Sequence, residues 1–303
     1  MSSPNPFLTS RQFADSLGVS ESSVKRWVDD GVITAERTVG GHRRIPLAAA
    51  IGFIRQRGTE LARPHLLRIN AAPSVGAVDE GVVEALHDAL LGDRALEAEA
   101  IIAGRYLGGA DIASIADQLI RPVMHRMGEL WRHDAAGILL EHRAVDVCVR
   151  VLGEIGSWIS AVPESAPAAV VAGGPGDPYL LPPMLASMVL RENGVRAHNL
   201  GPCTPLQTVG LAVSRYDARI CSMSVSAPPT PRSEAAWLEL ERQVSGAAGR
   251  LVVGGRCAAE LPVAVRGCVR MCDSMSDLAA YAAGWLEGIQ RTSDSLSAGR
   301  EGG

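Results

Sequence analysis

The segment 10–45 constrains this chain more than any other stretch. It begins Ser10-Arg-Gln-Phe-Ala-Asp-Ser-Leu-Gly18-Val-Ser20-Glu-Ser-Ser-Val-Lys-Arg-Trp27 and later reads Thr38-Val-Gly-Gly-His-Arg-Arg-Ile45. Phe13, Ala14 and Leu17 recur at helical spacing, Gly18 suits a left-handed helix stop, and Ser20 suits the cap of a second helix. In that second helix Val24, Trp27 and Val28 share one face. Ser22, Ser23, Lys25 and Arg26 are left outward, where the major groove of a duplex would receive them.

The segment 34–45 reads as a two-stranded wing with Gly40-Gly41 at its tip, followed at once by His42, Arg43 and Arg44. Guanidinium groups on a thin ribbon cover little apolar surface but match phosphate oxygens bidentately, so backbone contact is their expected task. Residues 1–70 thus resemble the winged-helix DNA-binding domain of MerR-family transcription regulators, whose wing reads Gly-Gly-His-Arg-Arg and then an apolar or aromatic residue.

The 303 residues, 47% hydrophobic, are enough for two or three domains with real cores. Formal charge is −4, but residues 1–57 hold eight Lys and Arg against five Asp and Glu, leaving 21 against 28 for the remainder. A head at +3 and a body at −7 suit a protein that presents one region to nucleic acid and keeps the other away. No run of 18 apolar residues and no amino-terminal hydrophobic signal region occur, so a cytoplasmic location without membrane contact is expected. The six cysteines are then reduced thiols. Cys257, Cys268 and Cys272 lie near one another, with Cys203 and Cys221 further off, but no pair has the two-residue spacing that structural zinc sites favour. Buried small residues are the better reading.

Helical periodicity resumes at 47–54, and 59–77, with Pro64, Pro73 and Gly76, reads as an irregular linker. From 79 to 161 apolar residues repeat at three and four, with breaks at Gly92-Asp93, Gly108-Gly109 and Gly137. This predicts a four-helix bundle in which Asp111 caps the third helix. From 166 to 292 short apolar runs at 168–172, 196–200, 218–225, 251–254 and 269–271 alternate with helical stretches at 182–193, 204–214, 233–248 and 276–290. Such alternation predicts an open, mostly parallel, flavodoxin-like sheet with helices on both faces, whose ligand loops lie at the carboxyl ends of the strands. Residues 293–303 read as a disordered tail. The fold class is therefore multidomain α and α/β: winged helix-turn-helix, four-helix bundle, Rossmann-like parallel sheet.

That order of parts resembles the light-sensing MerR regulators of the CarH/LitR type, in which bundle and sheet sandwich adenosylcobalamin. Trp131 is followed, after nine residues, by Glu141-His142, matching the family's Trp-x9-Glu-His motif. The resemblance implies that the Trp131 indole covers the upper face of the corrin, while Glu141 and His142 meet the adenosyl group. In the family a histidine directly after the tryptophan ligates cobalt once light has removed that group. Here Arg132 holds the place and His133 comes next, turned by about 100° on a helix.

Cobalamin domains of this fold carry Asp/Glu-x-His-x-x-Gly after the first strand, whereas this chain has Asp177-Pro-Tyr179-Leu-Leu-Pro182. Tyr179 stands where the lower cobalt ligand belongs, and a neutral phenol is a poor donor beside an imidazole. Ser222-Met-Ser224 corresponds to the family's Ser-x-Leu region and Gly254-Gly255 to its Gly-Gly. Small residues there leave room for a nucleotide tail to enter between strands.

Three readings are open. In one, adenosylcobalamin binds without histidine ligation and light or the vitamin is the signal, making the chain a photoreceptor or vitamin sensor. In another, the pocket takes a bilin or haem, served by His133, His142 or a cysteine. In the third it takes no cofactor, and a regulatory protein partner controls it. All three expect a homo-oligomer, dimer or tetramer, on double-stranded promoter DNA, and none expects an enzyme.

Overall fold

Thr9 opens the first helix with a reciprocal cap: its hydroxyl accepts the Gln12 N–H at 3.1 Å, and the Gln12 side chain accepts the Thr9 N–H at 2.9 Å. This computed structural model describes residues 7–67, 69–71, 73–130, 135–229 and 234–298, which fall into two compact units, Met1–Ala161 and Val162–Gly303.

The first unit begins with β1 (Phe7–Thr9), α1 (Ser10–Leu17), α2 (Glu21–Asp29), β2 (Glu36–Arg37), β3 (Arg43–Pro46) and α3 (Leu47–Arg57). Gly18, at φ 71°, ends α1 in the left-handed conformation, and the Ser20 hydroxyl accepts the Ser23 N–H to start α2, as the sequence predicts. Phe13, Val24, Ile45, Ile51 and Ile54 are fully buried, and the Trp27 and Phe53 rings lie 4.8 Å apart. The expected two-stranded wing is in fact a three-stranded antiparallel sheet, β1-β3-β2. Residues ahead of the first helix supply the extra strand, pairing Leu8 with Ile45 and so covering the inner edge of the wing.

The described residues of 59–77 are irregular apart from one 3-10 turn at Pro64–Leu67, but they form a strap bonded to the helix Ala95–Leu107 and not a free linker. Leu67, Ile69 and Ala71 are buried, the Ser74 N–H donates to the Gly104 carbonyl at 2.9 Å, and the Arg105 guanidinium donates to the Gly76 and Ala77 carbonyls. A Cβ on Gly108 would stand 2.2 Å from the Ser74 oxygen, so glycine is required where strap meets helix.

Four helical columns come after the strap. Asp79 caps α4 (Glu80–Leu91), α5 is Ala95–Leu107, and Asp111 caps α6 (Ile112–Ser114), which runs through a π-helical stretch at Ile115–Ile120 into α7 (Arg121–Leu130). The last column is α8 (Ala135–Trp158). Gly137 does not break a helix, contrary to expectation: it lies inside α8, where one glycine costs about 1 kcal/mol, too little to outweigh a long amphipathic helix. Leu86, Ile102, Leu107, Leu119, Val151 and Ile155 fill the core. α3 joins this core, its Arg55 lying 3.6 Å over the Tyr106 ring and donating to the Ala110 carbonyl at 2.9 Å.

The second unit is a five-stranded parallel sheet in the order β5-β4-β6-β7-β8. Its elements run β4 (Ala168–Gly173), α9 (Leu181–Glu192), β5 (Arg196–Asn199), α10 (Leu206–Tyr216), β6 (Ala218–Ser224), α11 (Glu234–Gly246), β7 (Arg250–Gly254), α12 (Val263–Arg266), β8 (Arg270–Cys272) and α13 (Met275–Ala298). β4 is buried throughout, as a parallel strand covered on both faces must be. The order reverses between β4 and β6, which makes the crest above those two strands the switch point at which such sheets take ligands. α13 runs to Ala298, into the segment read as a disordered tail, because no Gly or Pro interrupts the sequence between Gly288 and Gly299.

Candidate nucleic-acid interface and sheet-crest site

On α2, Ser22, Lys25 and Arg26 are exposed and Ser23 is half-buried. The Ser22 and Ser23 hydroxyls each lie 2.8 Å from the Ser20 hydroxyl, so the three form one polar cluster at the positive end of the helix. Lys25 pairs with Glu21 across one turn at 2.9 Å, and the pair is well exposed, which makes it a weak tie that a phosphate can replace. The wing tip is closed by Gly41 N–H to the Thr38 carbonyl, Thr38 N–H to the His42 carbonyl and His42 N–H to the Thr38 hydroxyl, with Gly41 at φ 77°. His42 is exposed, and the Arg44 guanidinium lies 4.8 Å over the Phe7 ring.

Arg43 stands apart from the other basic residues. Its Nε and Nη2 donate to Asp29 at the end of α2 at 3.2, 2.8 and 2.7 Å, and its side chain is only 19% exposed. Where a phosphate contact is expected, the guanidinium is engaged in an internal ion pair with a carboxylate fourteen residues away. Arg37 joins the same carboxylate at 3.1 Å. The Arg43 bond holds the Asp29 carboxyl below its ordinary range. Sequence spacing misses Asp29 and Arg37, because only the folding back of the wing onto α2 brings the three together.

At the crest of the sheet, Asp177 is almost wholly buried at 2% exposure. Its carboxylate accepts the Ser226 N–H at 2.5 Å and the Tyr179 N–H at 3.2 Å, and its backbone carbonyl accepts the Cys203 N–H at 2.8 Å. One carboxylate thus ties the loop after β4 to the loop after β6. Arg256 extends the tie, its Nε donating to the Ser226 carbonyl at 2.7 Å while Nη2 donates to the Tyr179 hydroxyl and the guanidinium lies 4.7 Å over that ring. Ser222 and Ser224 are buried, and the Ser224 and Ser226 hydroxyls are 3.1 Å apart.

Gly254 and Gly255 do not leave the expected opening. A Cβ on Gly255, at φ 109°, would stand 2.5 Å from the Val225 oxygen, and one on Gly254 would stand 2.8 Å from the Cys272 oxygen. The glycines are needed because backbone meets backbone there. Gly174 likewise rests on the Ser224 carbonyl and the Trp237 ring, and Trp237 is 2% exposed. The cavity at the switch point, between Gly174, Asp177, Val225 and Trp237, measures about 10 Å³, room for roughly one water.

Trp131 and His133 lie outside the described residues. Glu141 and His142 sit side by side on α8, 3.6 Å apart, the carboxylate 19% and the imidazole 74% exposed. Cys221, Cys257 and Cys272 are buried while Cys203 and Cys268 are exposed, and burial pushes the Cys221 and Cys148 thiols up to about 12. Among the described residues the metal-like cluster is Glu84, His87 and Asp88, an acidic group with both carboxylates exposed.

The helix-turn-helix domain family matches residues 7–57. The amino-terminal part of this chain is a helix-turn-helix domain. No curated protein sequence matches the chain. Among solved structures it is similar to the monomethylamine corrinoid protein of Methanosarcina barkeri, with a TM-score of 0.52, 15% identity, and coverage of 68% of this chain and 98% of that one. The unit Val162–Gly303 is less than half of the chain, so this likeness of fold reaches into the helices before it. Weaker likenesses join it to the methanol:cobalamin methyltransferase complex of the same organism (TM-score 0.35, 14% identity, 70% of this chain and 82% of that one) and to a cobalamin-binding protein of Desulfitobacterium hafniense DCB-2 (0.34, 16%, 68% and 97%). The architecture is that of a helix-turn-helix head followed by a fold like that of the corrinoid protein.

The residues at the crest do not fit a histidine-ligated cobalamin with its tail inserted. On the family pattern Tyr179 stands where the ligating histidine would, Arg256 engages its hydroxyl, and the buried Trp237 lies beside Gly174 at the switch point.

Proposed function

We propose that this chain is a DNA-binding transcription regulator of the MerR type, with a C-terminal α/β module that controls it while its own ligand crevice stays closed. The observation that carries the reading is the capped α2, which holds Ser22, Lys25 and Arg26 outward beside a wing in a head of net charge +3. Ser22, Ser23, Lys25 and Arg26 read the major groove, while His42 and Arg44 lie along the backbone. One head makes few contacts, so a homo-oligomer, dimer or tetramer, binds promoter DNA. The chain acts by binding and not as an enzyme: the crest carboxylate of Asp177 is already engaged by two backbone N–H groups, which leaves it a structural tie.

The closed crest favours control by association with a partner protein over control by a resident cofactor. Adenosylcobalamin sensing with a light response is the second reading, supported by the likeness of fold and by Glu141 and His142 on α8. Binding of a bilin or haem is the third. One experiment separates the first two. The full chain is incubated with adenosylcobalamin in darkness, passed through a sizing column, and tested for absorbance and for retardation of promoter DNA before and after illumination. A colourless protein that retards DNA equally in all conditions is expected. A coloured protein whose retardation changes with light would restore the photoreceptor reading, and absence of retardation in every condition would overturn the regulator.

A further inference from the structure

The head carries an acidic residue on a surface where a negative charge should repel nucleic acid, and it is placed where it does the opposite. Asp29 closes α2, the helix whose outward residues face the groove, and it receives the guanidiniums of Arg37 on β2 and Arg43 on β3. β2 and β3 are the two strands of the wing, joined in register by Glu36 opposite Arg44 and Arg37 opposite Arg43. A single carboxylate therefore fixes both wing strands to the carboxyl end of the reading helix. β3 is held by its pairing with β1 and by the buried Ile45, but the outer half of the wing has less to hold it: β2 is two exposed residues long, and Val39 at the tip is fully exposed. A ribbon that short has no independent stability.

We propose that Asp29 is a positioning residue for DNA binding, a clasp that sets the angle between wing and reading helix so that His42 and Arg44 reach phosphates while α2 lies in the groove. Arg43 serves the clasp and leaves phosphate contact to its neighbours. The inference rests on the DNA-binding reading of the head. It makes a prediction that plain electrostatics reverses. Removing a negative charge from a DNA-facing surface strengthens binding by reducing repulsion. Removing it from a clasp weakens binding, because the wing loses its register with the helix.

The test uses the full chain with Asp29→Asn and Asp29→Ala, a fluorescent mixed-sequence duplex at low ionic strength, and a salt titration of the affinity. Thermal unfolding of each variant checks that the head is still folded. The surface location of Asp29, 44% exposed on its side chain, means that both variants fold. The expected result is a loss of affinity on the order of tenfold in both variants, with a shallower salt dependence as wing contacts drop out. Arg43→Ala is expected to give a similar loss, and the double variant Asp29→Ala with Arg43→Ala little more than either alone, since both act through one contact. Equal or tighter binding by Asp29→Asn overturns the clasp. Additive losses in the double variant overturn it as well, returning Arg43 to the phosphates. If the unaltered chain ignores the duplex at low salt, the DNA-binding reading itself fails, and that outcome is distinct from the others.

Discussion

The head and the crest of the sheet use the same residue types to opposite ends. Both carry a pair of glycines with an arginine close behind, Gly40-Gly41 before Arg43 at the wing and Gly254-Gly255 before Arg256 at the crest. At the wing, Gly41 takes a positive φ to turn a ribbon outward, and a Cβ added there would meet nothing within 4 Å. At the crest, Gly255 also has positive φ, but the space beside it is full of the next loop's backbone. Open glycines point to a surface that meets a partner, whereas crowded ones point to a chain that meets itself. The same contrast separates Arg26, exposed on α2, from Arg256, spent on Tyr179 and Ser226.

The sharpest way to break this contrast is to empty the crest. Trp237→Ala removes the largest buried side chain of the second unit and should cost about 3–5 kcal/mol. Urea denaturation reads the loss, and DNA retardation should survive in native buffer because the head belongs to the first unit, which has its own core. A stability change under about 1 kcal/mol would mean that the slot is loosely filled and open to a ligand. Next in size is Gly255→Ala, which sets a Cβ against the Val225 carbonyl in a conformation that disfavours side chains and should cost about 1–3 kcal/mol. The same change at Gly41 strains the turn without a clash and should be milder, so the ratio of the two measures the contrast directly.

Ser20→Ala removes the cap of α2 and draws the Ser22 and Ser23 hydroxyls out of their cluster, costing about 1 kcal/mol of stability. Its effect on DNA affinity should exceed its effect on folding, since the lost order lies at the reading end of the helix. The smallest effect concerns His198, stacked on Tyr216 at 3.8 Å on the edge strand β5. Burial, aided by Arg196, holds this imidazole below its ordinary value of 6.5, so the folded state prefers it neutral. Its contribution is complete above pH 6.5 and fades as pH falls through the lower folded value. A His198→Phe variant should therefore lose less stability than the parent between neutral and mildly acidic pH, as read by denaturant midpoints.

Much of this was legible in the sequence, and the pattern of what was not is physical. Helices and parallel strands follow from apolar periodicity, so β4, β6 and β7 and the Ser20 and Asp111 caps stand where spacing puts them. Strand β1 was hidden because three residues show no period. The fate of Arg43 was hidden because Asp29 lies fourteen positions away and the pairing exists only after folding. Gly254-Gly255 misled for a related reason: the sequence shows that a side chain is missing but not which neighbour has taken its place. Gly137 misled because a break residue was weighed without the length of the helix around it. Tyr179 departs from the family's ligand pattern already in the sequence, while Arg256, the partner of its hydroxyl 77 residues on, has no local signature.

The strap joins head to bundle through residues 59–77. A tether of that length, left free, would let each reading head swing over tens of ångströms and accept operators of many spacings. Stitched at Ser74, Gly76 and Ala77 and seated on Gly108, it permits no such swing. If copies assemble on DNA as proposed, two of them would behave as a rigid caliper, accepting only half-sites whose separation matches the way their helices pair.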